Sequence, residues 1–389
     1  MSVERYHGSA GRAAAERVWT TLRNGVRDFI RSRFRIRADQ LPPGLDDLLA
    51  RADALAGAFD FDGALTAARE AADVAEQDGR VRAKRLVGNR LLPLGDCGRG
   101  LRLLAEPLPF CAAREWQGED LSGRRLFIRQ LHTSNMGAPV RMARFVARAV
   151  QMAAHCVVIV EPRLVPIFRR SFPEAEVRPL RFKWIVDARR DDYVTSFEGL
   201  GGFLVSDWPS VARTFVPLKY DPAVAGELRA RYLAQGPAPL IGIAWGSTNA
   251  RKPVPEFAAW EGLIAGTAAT FVSMQYGQVG PALKRLRGDR RGRLLDDPTA
   301  DQMKDMDRFA AQVGALDGVI TITNTGAHVA GALGKPVMLP LDDRYFGAYP
   351  AHGAQSYWYP GTTILRQNRR PWGEVLADAA ERLRLGRAA

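Results

Sequence analysis

Cysteine is scarce. The chain has three, Cys97, Cys111 and Cys156, an odd number without C-x-x-C spacing. That excludes a disulfide framework, argues against a zinc knuckle and points to no bound metal. A reducing compartment fits such usage. Long apolar runs are also missing: no stretch approaches the roughly 18 to 20 consecutive apolar residues of a membrane span. Met1–Ala13 lacks the apolar core of a secretory signal. These absences predict a cytoplasmic protein. Low-complexity tracts do not occur either; with 47% hydrophobic and 25% charged residues the composition is that of a globular chain that buries its elements. At 389 residues a single small domain is excluded, and two or three units are expected. Basic residues exceed acidic ones by 55 − 42 = +13, most of them Arg. This favours phosphate, anionic lipid or nucleic acid as partners without specifying a fold. A generic Arg-rich solvated surface accounts for it equally well. No RNP pair or helix-turn-helix pattern accompanies the charge, which argues against nucleic acid.

Residues 14–36 place Val18, Trp19, Leu22, Val26, Phe29 and Ile30 at helical spacing opposite Arg17, Arg23, Arg27 and Arg31. Such a basic amphipathic helix can lie on an anionic membrane, here the inner face, or pack its apolar stripe on the rest of the chain. From Leu45 to about Leu108 the pattern stays helical and contains a repeat. Asp60-Phe61-Asp62-Gly63-Ala64-Leu65 returns 36 residues later as Asp96-Cys97-Gly98-Arg99-Gly100-Leu101, each turn opening a helix. The first copy resembles the turn of tetratricopeptide helix pairs, whose period is about 34 residues. Two degenerate copies are too few for a long peptide-binding superhelix and are expected to cap the next domain.

Beyond Pro107 and Pro109 short β runs alternate with helices. The first block has strands at Arg125–Leu131, Cys156–Val160 and Phe182–Val186, with helices at Arg141–Ala154 and Arg163–Arg170. The second has strands at Leu240–Trp245, Thr270–Gln275, Gly318–Thr323 and Pro336–Leu341, with helices at Glu256–Ala265, Arg308–Leu316 and Ala327–Leu333. Repeated βα units predict an α/β protein whose parallel sheets carry helices on both faces. The expected division is a helical segment at 1–108, a Rossmann-like doubly wound domain at 109–235 and a second at 236–389, facing each other across a cleft. The last helix, Pro371–Leu385, could return to brace the first block.

Ligands of open α/β sheets bind beyond the carboxyl ends of the strands. In the second block Ile322-Thr323-Asn324-Thr325-Gly326-Ala327-His328 passes from a strand straight into a helix. Free N–H groups and a helix dipole favour a phosphate there, and Gly326 lets it approach. Asn324 and Thr325 could add hydrogen bonds, and His328 faces either the phosphate or the core. Equally, Asn324 or Thr325 could simply cap the helix. Trp245-Gly246-Ser247-Thr248-Asn249, followed by Arg251 and Lys252, suits a second phosphate or is an ordinary polar loop. In Ser273-Met274-Gln275-Tyr276-Gly277, Gln275 could read a base edge and Tyr276 stack on it. Ser356-Tyr357-Trp358-Tyr359-Pro360 could cover a ligand or plug the domain edge. In the first block His132-Thr133-Ser134-Asn135-Met136-Gly137-Ala138 is a small loop at a cleft edge. Asn135 and Gly137 lie on its acceptor side, and His132 is its titratable group with a near-neutral reference pKa.

These segments together resemble the C-terminal half of bacterial heptosyltransferase-like glycosyltransferases, especially the branch that begins with tetratricopeptide repeats. The resemblance rests on Gly242-Ile243-Ala244-Trp245, Ser273 to Gly277, Ala315 to Ile320, Asn324 to Pro336, Trp358-Tyr359-Pro360 and Arg366-Gln367. Gly123 to Leu126 and Met142 to Phe145 extend it weakly into the first block. It implies a GT-B architecture and metal-independent, inverting transfer, with a nucleotide-sugar donor as substrate, no cofactor, and a protein or glycan acceptor. It also implies that Lys252 contacts the donor phosphates and that Thr325 and Gly326 form the pyrophosphate turn, while Asn324 stands where some members have Asp. One departure matters: where the family carries Gly-Asp, with the Asp as the base, this chain has Gly137-Ala138. His132 is the nearby candidate for that role, and Asp187, Asp191 and Asp192 are further ones. The alternative expectation is an inactive GT-B protein that binds a nucleotide sugar or scaffolds partner enzymes.

Overall fold

The computed structural model describes residues 41–106, 112–131, 136–180, 187–247, 249, 252–277, 279–288, 294–344 and 346–387. The basic amphipathic stretch 14–36, Cys111, the predicted strand Phe182–Val186, and the site candidates His132, Asn135 and Thr248 lie outside the described residues. No described helix is long and apolar enough to cross a membrane.

Among the described residues four helices come first: α1 (Leu45–Gly57), α2 (Phe61–Asp78), α3 (Val81–Leu94) and α4 (Cys97–Leu104). Both copies of the repeated turn open a helix, α2 after Asp60 and α4 after Asp96. Asp60 accepts a hydrogen bond from the Gly63 N–H at 2.9 Å, whereas Asp96 instead takes Arg69 Nε at 2.9 Å. An alanine stripe, Ala64, Ala67, Ala68, Ala71, Ala72 and Ala75, is fully buried on α2. Side chains this small let the neighbouring helices approach closely.

The first sheet contains β1 (Arg114–Glu115), β2 (Arg125–Arg129), β3 (His155–Val160), β4 (Glu176–Pro179) and β5 (Tyr193–Ser196), ordered β1-β5-β2-β3-β4. Every pairing is parallel. Its helices are α5 (Gly137–Met142), α6 (Arg144–Met152), α7 (Val165–Ser171), α8 (Phe197–Leu204) and α9 (Trp208–Arg213). Helix α4 packs on α8, so the helical segment caps this domain.

The second domain opens with α10 (Pro222–Leu233) and contains β6 (Leu240–Ala244), α11 (Phe257–Gly266), β7 (Thr270–Ser273), α12 (Gly280–Arg287) and β8 (Leu294–Leu295). It continues through α13 (Met306–Ala315), β9 (Gly318–Thr321), α14 (Thr325–Ala332), β10 (Val337–Leu341) and β11 (Thr362–Arg366) to α15 (Trp372–Arg382). Its all-parallel sheet runs β11-β10-β9-β6-β7-β8. This is the 3-2-1-4-5-6 order of a dinucleotide-type sheet, with its reversal between β6 and β9. All five residues of β6 are buried, as a strand covered on both faces requires. The two Rossmann-like domains and the preceding helices match the architecture expected from the sequence.

One element sits on the other side of the expected boundary. Helix α10 packs on α13, through Leu228 and Tyr232, and so belongs to the second domain although it precedes residue 235. Tyr232 donates to Asp297 at 2.6 Å and receives a bond from Gln312 at 3.2 Å, both in that domain. Helix α15 stays with the second domain, packed on α11 and against β10 and β11. Its apolar face, Val375, Leu376 and Ala379, joins the apolar cluster of that domain.

The domains share one apolar cluster that includes Phe145, Phe168 and Phe197 from the first and Phe309, Ala330 and Trp358 from the second. Arg170 of α7 grips Asp307 of α13 with paired bonds of 2.7 and 2.8 Å. The aromatic loop 356–360 is a plug at this seam: Trp358 and Tyr359 are buried, Trp208 of α9 stacks on Tyr357 at 5.8 Å, and its ring meets Trp358 edge-on at 5.5 Å. Arg144 of α6 donates to the carbonyls of Val211 and Tyr357 and lies over the Trp358 and Tyr359 rings. Burial pushes its guanidinium pKa down to about 10.

Candidate functional site

At the switch point of the second sheet the loops after β6 and β9 part in opposite directions and leave a crevice. The first domain roofs it with the start of α5. The resulting cleft, about 510 Å³, is lined by Met136, Gly137 and Arg141 from one side and by Ser247, Lys252, Tyr276, Thr323, Asn324, Thr325 and His328 from the other. Arg163, Gln302, Met303, Met306 and the turn Gly347-Ala348-Tyr349 complete it.

Helix α14 points its N-terminus into this cleft. Asn324 is its N-cap, with Oδ1 accepting the Ala327 N–H at 2.9 Å. The N–H groups of Thr325 and Gly326, in the first turn, have no intrahelical acceptor. The positive end of the helix dipole adds to them. Lys252 donates to the Thr323 carbonyl, which brings its ammonium to the same spot, and partial burial lowers its pKa. Thr323 Oγ1 is buried with no hydrogen-bond partner among the described residues. The arrangement offers donors and positive charge to an anion and places no carboxylate among the lining residues described.

His328 forms the floor. Its Nδ1 is 3.1 Å from the Tyr359 hydroxyl, and its ring stacks on Tyr349 with centroids 5.6 Å apart and planes 6° apart. Burial, followed by the charges of Arg141 and Lys252, holds its pKa well below the usual imidazole value. The imidazole is therefore neutral near pH 7.

The cleft brings together Lys252, Tyr276, Asn324, Thr325, His328 and Gly137 from the residues singled out by sequence. Gly326 lies one residue inside α14 and is buried; a Cβ there would come 3.2 Å from Asn324 Oδ1 and from Met274 Cε. Gln275 does not line the cleft. Its Oε1 accepts the N–H groups of Trp245 and Gly246 at 3.0 and 2.8 Å, and its Nε2 donates to the Gly246 carbonyl. Gln275 thus pins the β6 loop from below. Ala138, where the expected carboxylate is missing, is buried. Asp187 and Asp192 are committed elsewhere: Asp187 pairs with Arg178 at 2.7 Å, and Asp192 accepts the Arg189 N–H at 2.7 Å and pairs with Arg125. Asp191 and Asp192 immediately precede β5, at the amino ends of the strands and opposite the cleft.

Sequence reasoning missed Arg141, Arg163 and the Gly347-Ala348-Tyr349 turn. Arg141 sits inside the helix after the glycine loop, where only the i, i+4 step from Gly137 hinted that it shares that residue's face.

No family model matches the chain. Protein FlbA of Caulobacter vibrioides is 27% identical over 292 residues, 69% of this chain and 48% of that protein. The chain therefore spans about half the length of that curated relative. Among solved structures, a glycosyl transferase family 9 protein from Veillonella parvula aligns with TM-score 0.49 and 12% identity over 67% of this chain and 97% of its own. The ADP-heptose lps heptosyltransferase II of E. coli aligns with TM-score 0.47 and 12% identity over 67% and 98%.

Proposed function

We propose that the chain is a glycosyltransferase that holds a nucleotide sugar on its second domain and moves the sugar to a protein or glycan acceptor. The observation that carries this reading is the convergence of Lys252 and the open N-terminus of α14 at the switch point of the second sheet. Charge that develops on a departing diphosphate would be stabilised there, without a metal, by donors already fixed in place. Tyr276, half-buried in the loop after β7, supports stacking of the base. The resemblance in Asn324 to Pro336 supports the same assignment, and direct displacement at the anomeric carbon inverts its configuration.

The acceptor side belongs to the first domain. His132 follows β2 in sequence just ahead of Met136 and is the candidate base. A groove of about 380 Å³ between α1, α3 and the residues Arg344, Phe346 and Gly347 shares Gly347 with the cleft. This supports an acceptor reaching the site past the helical segment. Contact with an anionic membrane would fall to residues 14–36.

A second reading is favoured by one observation: Ala138 is buried and no carboxylate lines the cleft among the described residues. In that reading the chain binds a nucleotide sugar without transferring it. The test is a thermal-shift screen against UDP, GDP, ADP and CMP and their sugar conjugates, followed by an assay of sugar release from the conjugate that binds. A rise in melting temperature that Lys252→Ala removes supports the donor site. Release that Lys252→Ala abolishes supports transfer, binding without release supports the second reading, and no shift with any nucleotide sinks both.

A further inference from the structure

Three arginines approach the cleft, and two of them are tied down. Arg163 donates to Glu161 at 2.7 Å and to the Met303 and Gln302 carbonyls at 2.9 and 3.2 Å. Arg144 holds the carbonyls of Val211 and Tyr357. Arg141 differs. Its guanidinium lies over the Trp358 ring at 5.2 Å and lines the cleft. Its Nε is sealed from solvent and, like that of Arg144, has no hydrogen-bond partner among the described residues. Among the described residues no acceptor bonds it and no carboxylate pairs with it; Glu198 of α8 acts on it only through its field.

A guanidinium that is half-buried, with its Nε sealed and no counter-ion, is costly, because it loses hydration and receives little in return. Chains keep such a group where an anion arrives to meet it. The opposite wall holds Lys252 and the α14 N-terminus, which already make that wall an anion site. Both Arg141 and Lys252 lie near enough to His328 for their charges to act on it.

We propose that Arg141 is the first domain's contact with the terminal phosphate of the bound nucleoside diphosphate, so that the diphosphate is gripped from both domains at once. This rests on the donor reading above and deepens it. Lys252 and the α14 amides hold the diphosphate from the second domain, and Arg141 closes on its outer phosphate from the first. The planar fork of Arg suits two oxygens of one phosphate, and Trp358 beneath it fixes the plane. Arg141 is a binding residue in this scheme. The first domain thereby senses whether the second carries a diphosphate, without any carboxylate or metal between them.

The experiment is calorimetric titration of the intact protein, its Arg141→Gln and Arg141→Lys variants and Lys252→Ala with UDP, GDP and ADP and with the matching monophosphates. Expected is a loss of roughly 10- to 100-fold in diphosphate affinity for Arg141→Gln, with monophosphate affinity changed by less than about threefold and partial recovery in Arg141→Lys. The melting temperature of unliganded Arg141→Gln should equal or exceed that of the parent, because a charge without a partner has been removed. Unchanged diphosphate affinity in Arg141→Gln, beside a loss in Lys252→Ala, overturns this proposal and leaves the donor site standing. Equal losses for mono- and diphosphates, or a lower unliganded melting temperature, make Arg141 a structural residue and overturn it too. Binding of the monophosphates alone overturns it while keeping a nucleotide site, and binding of no nucleotide overturns both.

Discussion

Gly137 of α5 and His328 of α14 meet so closely across the seam between the domains that a Cβ on Gly137 would lie 2.8 Å from His328 Cδ2 and 3.6 Å from Nε2. The imidazole cannot swing aside, because Tyr349 is stacked on it and Tyr359 holds its Nδ1. The glycine of the first loop is thus required by the facing domain. Gly137→Ala is expected to lower stability by about 1 to 3 kcal/mol through overpacking, and to weaken nucleotide binding by spreading the cleft. Chemical denaturation and titration of one preparation check both effects. An alanine variant as stable as the parent would mean that the seam opens freely.

The cap at Asn324 separates stability from ligand binding. Its Oδ1 satisfies the Ala327 N–H, a bond that Asp can also make and Ala cannot. Asn324→Ala should cost about 1 kcal/mol, and Asn324→Asp only a few tenths. Urea midpoints at constant slope read the difference. Equal losses in the two variants would show that the side chain acts on something other than the helix end.

The parts of the fold that could be read from the sequence are those with a local cause. Strands β3, β6 and β10 are continuous apolar runs, and each lies within a residue of its expected start. The turns at Asp60 and Asp96 open helices as their repeat implied. Strands β4, β5 and β11 went unread because Glu176–Pro179, Tyr193–Ser196 and Thr362–Arg366 carry polar residues that only a neighbouring strand makes regular. The same holds for the site. The α14 turn was visible, since a strand, a cap residue and a glycine lie side by side in sequence. The bond of Gln275 to the β6 loop and the exposure of Arg141 to the cleft depend on chain crossings, and no spacing announces those. Residues 222–233 fell inside the first domain's expected range for a related reason: the partner of α10, α13, lies some 80 residues later, as the Gln312–Tyr232 bond shows.

Arg170 and Asp307 form a two-point bridge between the domains, with side chains 28% and 23% exposed. That much burial makes the pair worth more than a surface contact, and its geometry favours both bonds at once. A double-mutant cycle with Arg170→Ala and Asp307→Ala should give a coupling energy of about 1 kcal/mol. A value indistinguishable from zero would assign the cohesion of the seam to the shared aromatic cluster alone.

His328 makes stability depend on pH in a direction that its surroundings dictate. Burial and the charges of Arg141 and Lys252 depress its folded-state pKa, so the unfolded chain takes up the proton first, near the reference value of about 6.5. The contribution is complete above that value and shrinks as pH falls below it, by up to about 1.4 kcal/mol per pH unit, until the folded pKa is reached. Carboxylates elsewhere titrate in part of the same range, so the informative quantity is the difference between the parent and His328→Gln. The glutamine variant can still bond Tyr359 but takes up no proton. Relative to it, the parent should lose stability between about pH 7.5 and about pH 5.5, and the gap between their unfolding free energies should shift by about 1 kcal/mol over that interval. A gap that stays constant would mean that the imidazole titrates normally in the folded chain. The ring would then be open to water, and the tight floor beneath the cleft would not exist.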